Sequence, residues 1–322
     1  MSLIIVDKPS GPTSFAVVAR VRALLGKHRG RREKVGHGGT LDPFASGVLP
    51  ICIGEGTKVL PFLLDADKSY EAVVRFGVET DTLDVTGKIV AERAVAGLNG
   101  PDVEVALANF RGLIEQVPPM YSALKRDGRP LYAYARAGQT VERAARKVTI
   151  HELEMVGFDA PDRARLKVRC SKGTYIRSLA ADLGQRLGVG AHLVELRRTA
   201  SGPFHLDRAI TLDALEALLA NGRALPLLSV LDALAHLPAV MVDESQALVL
   251  ARGQGMTWAV LGGGQTLVGP VCAVLHGLGG PLLVAVVEEN PDGTVKIRRG
   301  FRWAQDLKAH PRDCEGTETA ED

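Results

Sequence analysis

The stretch GHGGTLDPFASGVLP places one carboxylate, Asp42, between a glycine-rich turn and a proline. Glycines allow tight turning and proline fixes its own φ, so such a loop can present a single acid rigidly at a cleft. The same residues also make an Asx turn, in which the aspartate only caps its own loop. No second carboxylate lies in the stretch, so a local acid/base pair of the glycosidase kind is not indicated. GHGGT lacks the lysine of a GxxxxGK[ST] phosphate loop, which weakens a nucleotide-binding reading.

In KGTYIRSL, Tyr175 and Arg177 stand at the start of a helical pattern. A permanently charged guanidinium opposite Asp42 would hold that acid ionised and oriented. The alternative is a surface arginine in a first helical turn, a place the helix dipole disfavours. Tyr70 opens an alternating segment and reads as core, yet an aromatic ring is also what restacks a base taken out of RNA. His37 is either satisfied by backbone or set beside the space such a base leaves.

These residues must be held by elements the sequence also suggests. Leu3 to Val6 form a short apolar strand, and Thr13 or Ser14 caps a helix carrying Val17, Val18, Val21, Leu24 and Leu25. GKHRGRREK is expected as a loop that orders on binding. Tyr70, Ala72, Val74 and Phe76 share one strand face, and Ala164, Leu166, Val168 and Cys170 another. Asp102 is expected to cap a helix through Leu107, Phe110 and Leu113, and Thr174 to cap the helix bearing Arg177. From Pro238 to Trp303, short strands between GQG, GGGQ, GLGG and NPDG turns suggest a small β-barrel.

Residues 20–34 hold seven Lys or Arg against Glu33, and residues 123–149 seven against Asp127 and Glu142. Two basic blocks in a chain of net charge +2 suit a phosphate-binding face, although each alone reads as solvated surface. The tail 304–322 has six acids against two bases and is expected to be disordered. Cys52, Cys170, Cys272 and Cys314 form no CxxC pair, so neither zinc nor a disulfide framework is indicated and a reducing cytoplasm fits. The opening apolar run is too short for a signal peptide, and the apolar window from Gly269 is broken by glycines and prolines into two strands around a turn.

Beyond single residues, GHGGTLDPFASGVLPICIGEGTK, DKPSGPTS, LLDADKSYEAVVRFGVETDTLDVTG, QVPPMYSALKRDGRPLYAYARAG, SKGTYIRSLAADLG and GAHLVELRRTASGPF resemble the TruB family of tRNA pseudouridine synthases. They occur in family order and cover residues 1 to about 205. The resemblance implies an α+β fold: a mixed, largely antiparallel sheet with flanking helices, an inserted basic flap and a small PUA-like C-terminal β-barrel. It implies a catalytic domain at 1–232 with the flap at about 117–147, an RNA-binding domain at 233–303, and the tail 304–322. The implied reaction isomerises uridine 55 in the T arm of tRNA to pseudouridine, without cofactor or metal. The implied enzyme is a cytoplasmic monomer that needs no membrane or protein partner. Two alternatives stay open: a tRNA-folding role, beside activity or in its place, and a guide-RNA-dependent synthase.

Carried onto this sequence, the family roles make Asp42 the nucleophile, or the group that assists departure of the uracil, and Arg177 its ion-pair partner. Tyr70 stacks on the flipped base and acts at C5. Tyr175 and Leu196 line the base pocket, and His37 lies near the vacated position. Lys8 and Pro9 buttress the wall, while Lys125, Arg126 and Arg129 of the flap take phosphates, with Arg136 and Arg143 beside them.

Overall fold

The computed structural model describes residues 2–30, 32–262, 267–277 and 280–301. The tail 304–322 and Cys314 lie outside the described residues. By compactness the chain divides into two units. One comprises Ile4–Cys52 and Leu60–Pro226; the other comprises, among the described residues, 2–3, Ile53–Val59 and those from Leu227 on.

A ten-stranded sheet is the framework. Its principal strands are β1 (Ser2–Lys8), β2 (Ser46–Ile53), β3 (Lys68–Phe76), β4 (Gly112–Gln116), β5 (Arg146–Asp159), β6 (Arg163–Cys170) and β7 (Ala191–Ser201). They lie in the order β1-β2-β7-β3-β6-β5-β4, with the short strand Leu228–Ser229 beyond β1. Pairing is antiparallel between β7 and β3, β3 and β6, β6 and β5, and β5 and β4, whereas β7 runs parallel to β2. The mixed, largely antiparallel sheet expected from the sequence is therefore present.

Strand alternation decides which side chains meet. Ala72, Val74 and Phe76 of β3 and Ala164, Leu166, Val168 and Cys170 of β6 enter one core. Against it pack helix α2 (Gly100–Leu107), through Val103, Ala106 and Leu107, and helix α4 (Ile176–Arg186), through Ile176, Leu179, Ala180 and Leu183. Between them in sequence, helix α3 (Leu131–Arg136) sits inside the basic segment. Helix α1 (Ser14–Arg29) is capped by the Thr13 hydroxyl, which accepts from Ala16 N.

Several expectations give way. The supposed loop after Leu25 is helical to Arg29, and only Gly30, at φ 66°, turns the chain out. Asn99, not Asp102, caps α2: its side chain accepts from Asp102 N, with Pro101 in the first turn. That helix stops at Leu107, and Leu113 instead stands 67% exposed on edge strand β4. Thr174 does not cap α4; its hydroxyl donates to Ser171 O, and the N-cap is Tyr175 without a side-chain bond.

The apolar window from Gly269 forms the antiparallel strands Val271–Gly277 and Gly280–Glu289, as expected. They belong to a four-stranded sheet with Ala239–Val242 and Val295–Gly300 at its edges. Among the described residues this sheet is open, not the barrel expected. Part of the span read as strands is helical, at Glu244–Ala251, with an Asp243/Gln246 capping box, and at Trp258–Gly262. The strands left over are too few to close.

Candidate active site

The loop carrying Asp42 is pinned along its backbone. Ser14 Oγ donates to Leu41 O at 2.9 Å and accepts from Leu41 N at 2.8 Å, so one buried hydroxyl satisfies both groups of the preceding residue. Gly11 N donates to Pro43 O at 2.8 Å. Lys8, with no exposed surface, donates from Nζ to Pro43 O at 3.1 Å, Ala45 O at 2.6 Å and Pro9 O at 2.9 Å. Burial pulls the Lys8 ammonium down to about 8, against the pull of Asp42 in the other direction.

Beyond the loop, Gly47 lies at φ 106°, and a Cβ there would stand 2.2 Å from Arg198 O. The glycine of ASGVLP is thus required by the close approach of β2 and β7. Arg198 is 1% exposed. It donates to Val48 O at 2.8 Å, Gly39 O at 3.0 Å and Thr40 O at 3.3 Å, holding the loop from the opposite side.

Arg177 meets Asp42 from α4. Its Nη2 donates to Asp42 Oδ1 at 3.2 Å, and its Nε lies 2.8 Å from Oδ2, off the hydrogen-bonding direction. The guanidinium also faces a second acid, Asp84, whose Oδ2 is 3.4 Å from Nη1. Thr82 O and Tyr121 O accept its remaining protons at 2.9 Å each. Arg177 and Asp84 side chains are 4% and 5% exposed, whereas Asp42 keeps 32%. Asp42 is therefore the carboxylate of this network that solvent or a ligand reaches. Desolvation raises its pKa, Arg177 opposes that shift, and Asp84 adds to it.

Tyr70 is the cross-strand partner of Arg198. Burial lifts its phenol to about 12 in spite of that cation. Tyr175 is half-buried, and burial raises its phenol. Leu196 is 8% exposed in the same core as Leu41 and Ala72. His37 is held below its ordinary pKa by burial and then by Arg198, and its Nδ1 has no hydrogen-bond partner among the described residues.

Residues 27–176 match the family model described as TruB family pseudouridylate synthase, N-terminal domain, and residues 177–235 match the tRNA pseudouridylate synthase B C-terminal domain. The chain belongs to the TruB family. It is 54% identical to tRNA pseudouridine synthase B of Aromatoleum aromaticum over 253 residues, 78% of this chain and 80% of that protein. The protein of the same name from Pseudomonas aeruginosa is 51% identical over 78% of this chain and 82% of its own. Among solved structures, a Cbf5–Nop10–Gar1 complex aligns with TM-score 0.71 and 28% identity, covering 94% of this chain and 86% of that one. An H/ACA ribonucleoprotein bound to a substrate RNA containing 2'-deoxyuridine aligns with TM-score 0.68 and 26% identity, covering 97% and 86%.

In this TruB-family chain the structure brings Asp42, Arg177 and Lys8 into direct or near contact and sets Tyr70 and His37 beside Arg198. Lys125, Arg126 and Arg129 are not part of that cluster. They form an exposed hairpin, Lys125–Arg126 with Arg129–Pro130, whose arginines are engaged locally. Arg126 donates to Glu142 O, and Arg129 donates to Ala133 O at 2.7 Å while stacking over Tyr134 at 4.6 Å.

Sequence reasoning missed Asp84, Arg198 and Ser14. Asp84 had a signal in the threonines of TLDVT: its Oδ1 accepts from the hydroxyls of Thr82 and Thr86 and from Thr86 N. Arg198 had none, because Arg197 beside it is the same residue type with the opposite exposure. Among the described residues no group of three or more His, Cys, Asp or Glu is placed to hold a metal, and no helix is long and apolar enough to cross a membrane.

Proposed function

We propose that this TruB-family enzyme is a tRNA pseudouridine synthase acting on the T-arm uridine at position 55, with Asp42 as the reacting carboxylate. The observation that carries the reading is the forked contact of buried Arg177 with the one carboxylate of the network left accessible. Arg177 keeps Asp42 available as an anion where burial alone would neutralise it. Its near relatives carry the tRNA pseudouridine synthase name.

The reaction is an isomerisation. The bond between N1 of uracil and C1' of the ribose breaks, the base turns, and C5 bonds to C1'. The proton on C5 leaves and N1 regains one, so composition and oxidation state are unchanged and no cofactor is required. Covalent participation by Asp42, at the base or at the sugar, divides this into two easier steps. Tyr70 stacks on the base and lies where a proton from C5 can be handled. Tyr175 and Leu196 line the pocket, and His37, neutral through its lowered pKa, stands at the position the base vacates.

The basic segment at about 117–147 is the flap that meets the T-arm phosphates, and residues 233–303 are a PUA-like RNA-binding domain. The enzyme works as a monomer in the cytoplasm without guide RNA. Identity of 54% to synthase B against 28% to Cbf5 favours the stand-alone form. The test is Asp42→Asn assayed on an unmodified tRNA transcript with no guide. Expected is no detectable pseudouridine, with tRNA binding within about threefold of wild type, because the phosphate contacts remain. Substantial turnover by the variant would sink the assignment of Asp42.

A further inference from the structure

Arg177 is tied to the basic segment as well as to Asp42. Gln116, 2% exposed, ends β4 at the root of that segment. Its Nε2 donates to Tyr175 O at 3.1 Å and its Oε1 accepts from Tyr175 N at 2.8 Å. The amide thus imitates one rung of a β-ladder to a residue 59 positions away. It does so at a helix start that has no side-chain cap of its own.

Two more tethers lie alongside. Ser178 Oγ donates to Val117 O at 3.1 Å, and Arg177 Nη2 donates to Tyr121 O at 2.9 Å. Residues 116, 117 and 121 are therefore stitched to residues 175, 177 and 178 by part-buried side-chain bonds. The far end of the segment is clasped to the near end, because Arg143 Nη1 donates to Pro118 O at 3.0 Å.

Nη2 of Arg177 has two protons. One goes to Tyr121 O and the other to Asp42 Oδ1. A displacement of the segment's root therefore acts on the same nitrogen that orients the reacting carboxylate. Between root and clasp lie Lys125, Arg126, Arg129 and Arg136, the cations through which RNA would pull on or seat the segment.

The geometry points to Gln116 as a positioning residue that couples seating of the basic segment on RNA to the alignment of Arg177 on Asp42. Ser178 is its accessory. The inference rests on the reading of Asp42 and of the basic segment given above. Gln116 itself touches no reacting atom. Its effect passes through Tyr175 and the first turn of α4.

The experiment uses the full chain and an unmodified tRNA transcript, with Gln116→Met, which keeps length and bulk but removes both bonds. Single-turnover rate with enzyme in excess, equilibrium tRNA binding and the pH dependence of that rate are measured together. The expected result is a rate reduced about ten- to a hundredfold, the scale of a small misplacement of reacting groups. Binding should stay within about threefold. The acid limb of the rate profile should move to higher pH, because Asp42 loses part of the contact that keeps it ionised.

An unchanged rate and profile would overturn the coupling. So would a loss confined to binding, or a loss of rate with an unmoved acid limb, which would mark Gln116 as only structural. If Gln116→Met does not fold, Ser178→Ala is measured in the same way against the same outcomes. Asp42→Asn run in parallel separates the two layers. Turnover by that variant removes the underlying reading, whereas an inactive Asp42→Asn with a silent Gln116→Met removes this inference alone.

Discussion

Ser14→Ala isolates how much of the site's rigidity comes from one hydroxyl. In the wild type that hydroxyl serves both the N–H and the C=O of Leu41, at 2.8 and 2.9 Å, and Ser14 and Leu41 are 2% and 3% exposed. Alanine leaves both backbone groups buried without a partner, at about 1–3 kcal/mol each. Against this, alanine in the first turn of α1 gains about 0.5 kcal/mol of helix propensity over serine. The net loss is about 2–5 kcal/mol, most of it local to the loop that precedes Asp42.

Because the chain holds two compact units, global unfolding need not be two-state, and amide exchange at residues 41–45 is the direct assay. A loss of about 3 kcal/mol lowers protection there by about two decades. Single-turnover pseudouridine formation should fall about ten- to a hundredfold, since Asp42 is next in sequence and loses its fixed approach. Protection within threefold of wild type, or a rate unchanged despite lost protection, would refute the argument that this hydroxyl positions the carboxylate.

Neutralising Arg126 and Arg129 together should weaken tRNA binding and reduce the slope of log affinity against log salt by about 1.4, two phosphates at about 0.7 each. An unchanged slope argues against phosphate contact. Gly47→Ala, whose Cβ would stand 2.2 Å from Arg198 O, should abolish folded protein, whereas Gly11→Ala, at φ 109° with no atom within 4 Å, should cost about 1–3 kcal/mol. Soluble yield and thermal unfolding compare them, and equal losses would show that the strand approach is not limiting. Lys8 has a folded pKa of about 8 against 10.5 unfolded. A depressed lysine means the unfolded chain binds more protons between those values, so stability should rise from pH 8 to 10.5. Lys8→Met should flatten that rise by about 3 kcal/mol in denaturant titrations, and an unaltered slope would place the shift elsewhere.

The Asp42 loop was legible because its constraints are local: glycines and a proline announce a turn wherever they occur. The pairing with Arg177 was an expectation from family order, and the contact itself joins residues 135 apart. Asp84 escaped notice since its charge partner is equally remote, and its threonine neighbours only hint at a satisfied carboxylate. Asn99 and Asp102 both suit an N-cap, and Pro101 between them decides in favour of Asn99, being tolerated at the helix start. The arginines of the basic segment read as free cations; the structure gives Arg126 and Arg129 carbonyl and ring partners that charge patterning cannot reveal. The C-terminal strands were overcounted because GQG and GGGQ mark turns without stating whether a helix or a strand follows.

Arg197 and Arg198 are adjacent and identical, yet the first pairs with Asp7 at 2.8 Å with its side chain 39% exposed, while the second is sealed inside. Nothing in their chemistry distinguishes them; only the register of β7 does. A guanidinium is tolerated in the interior once its protons have acceptors, and those of Arg198 are supplied by the backbone of residues 39, 40 and 48. During folding, β7 therefore cannot bury that side chain at low cost until a segment 150 residues earlier has taken its final shape. Closure of the sheet and shaping of the Asp42 loop become one cooperative event. A molecule with a completed sheet and an unformed loop is thereby kept rare.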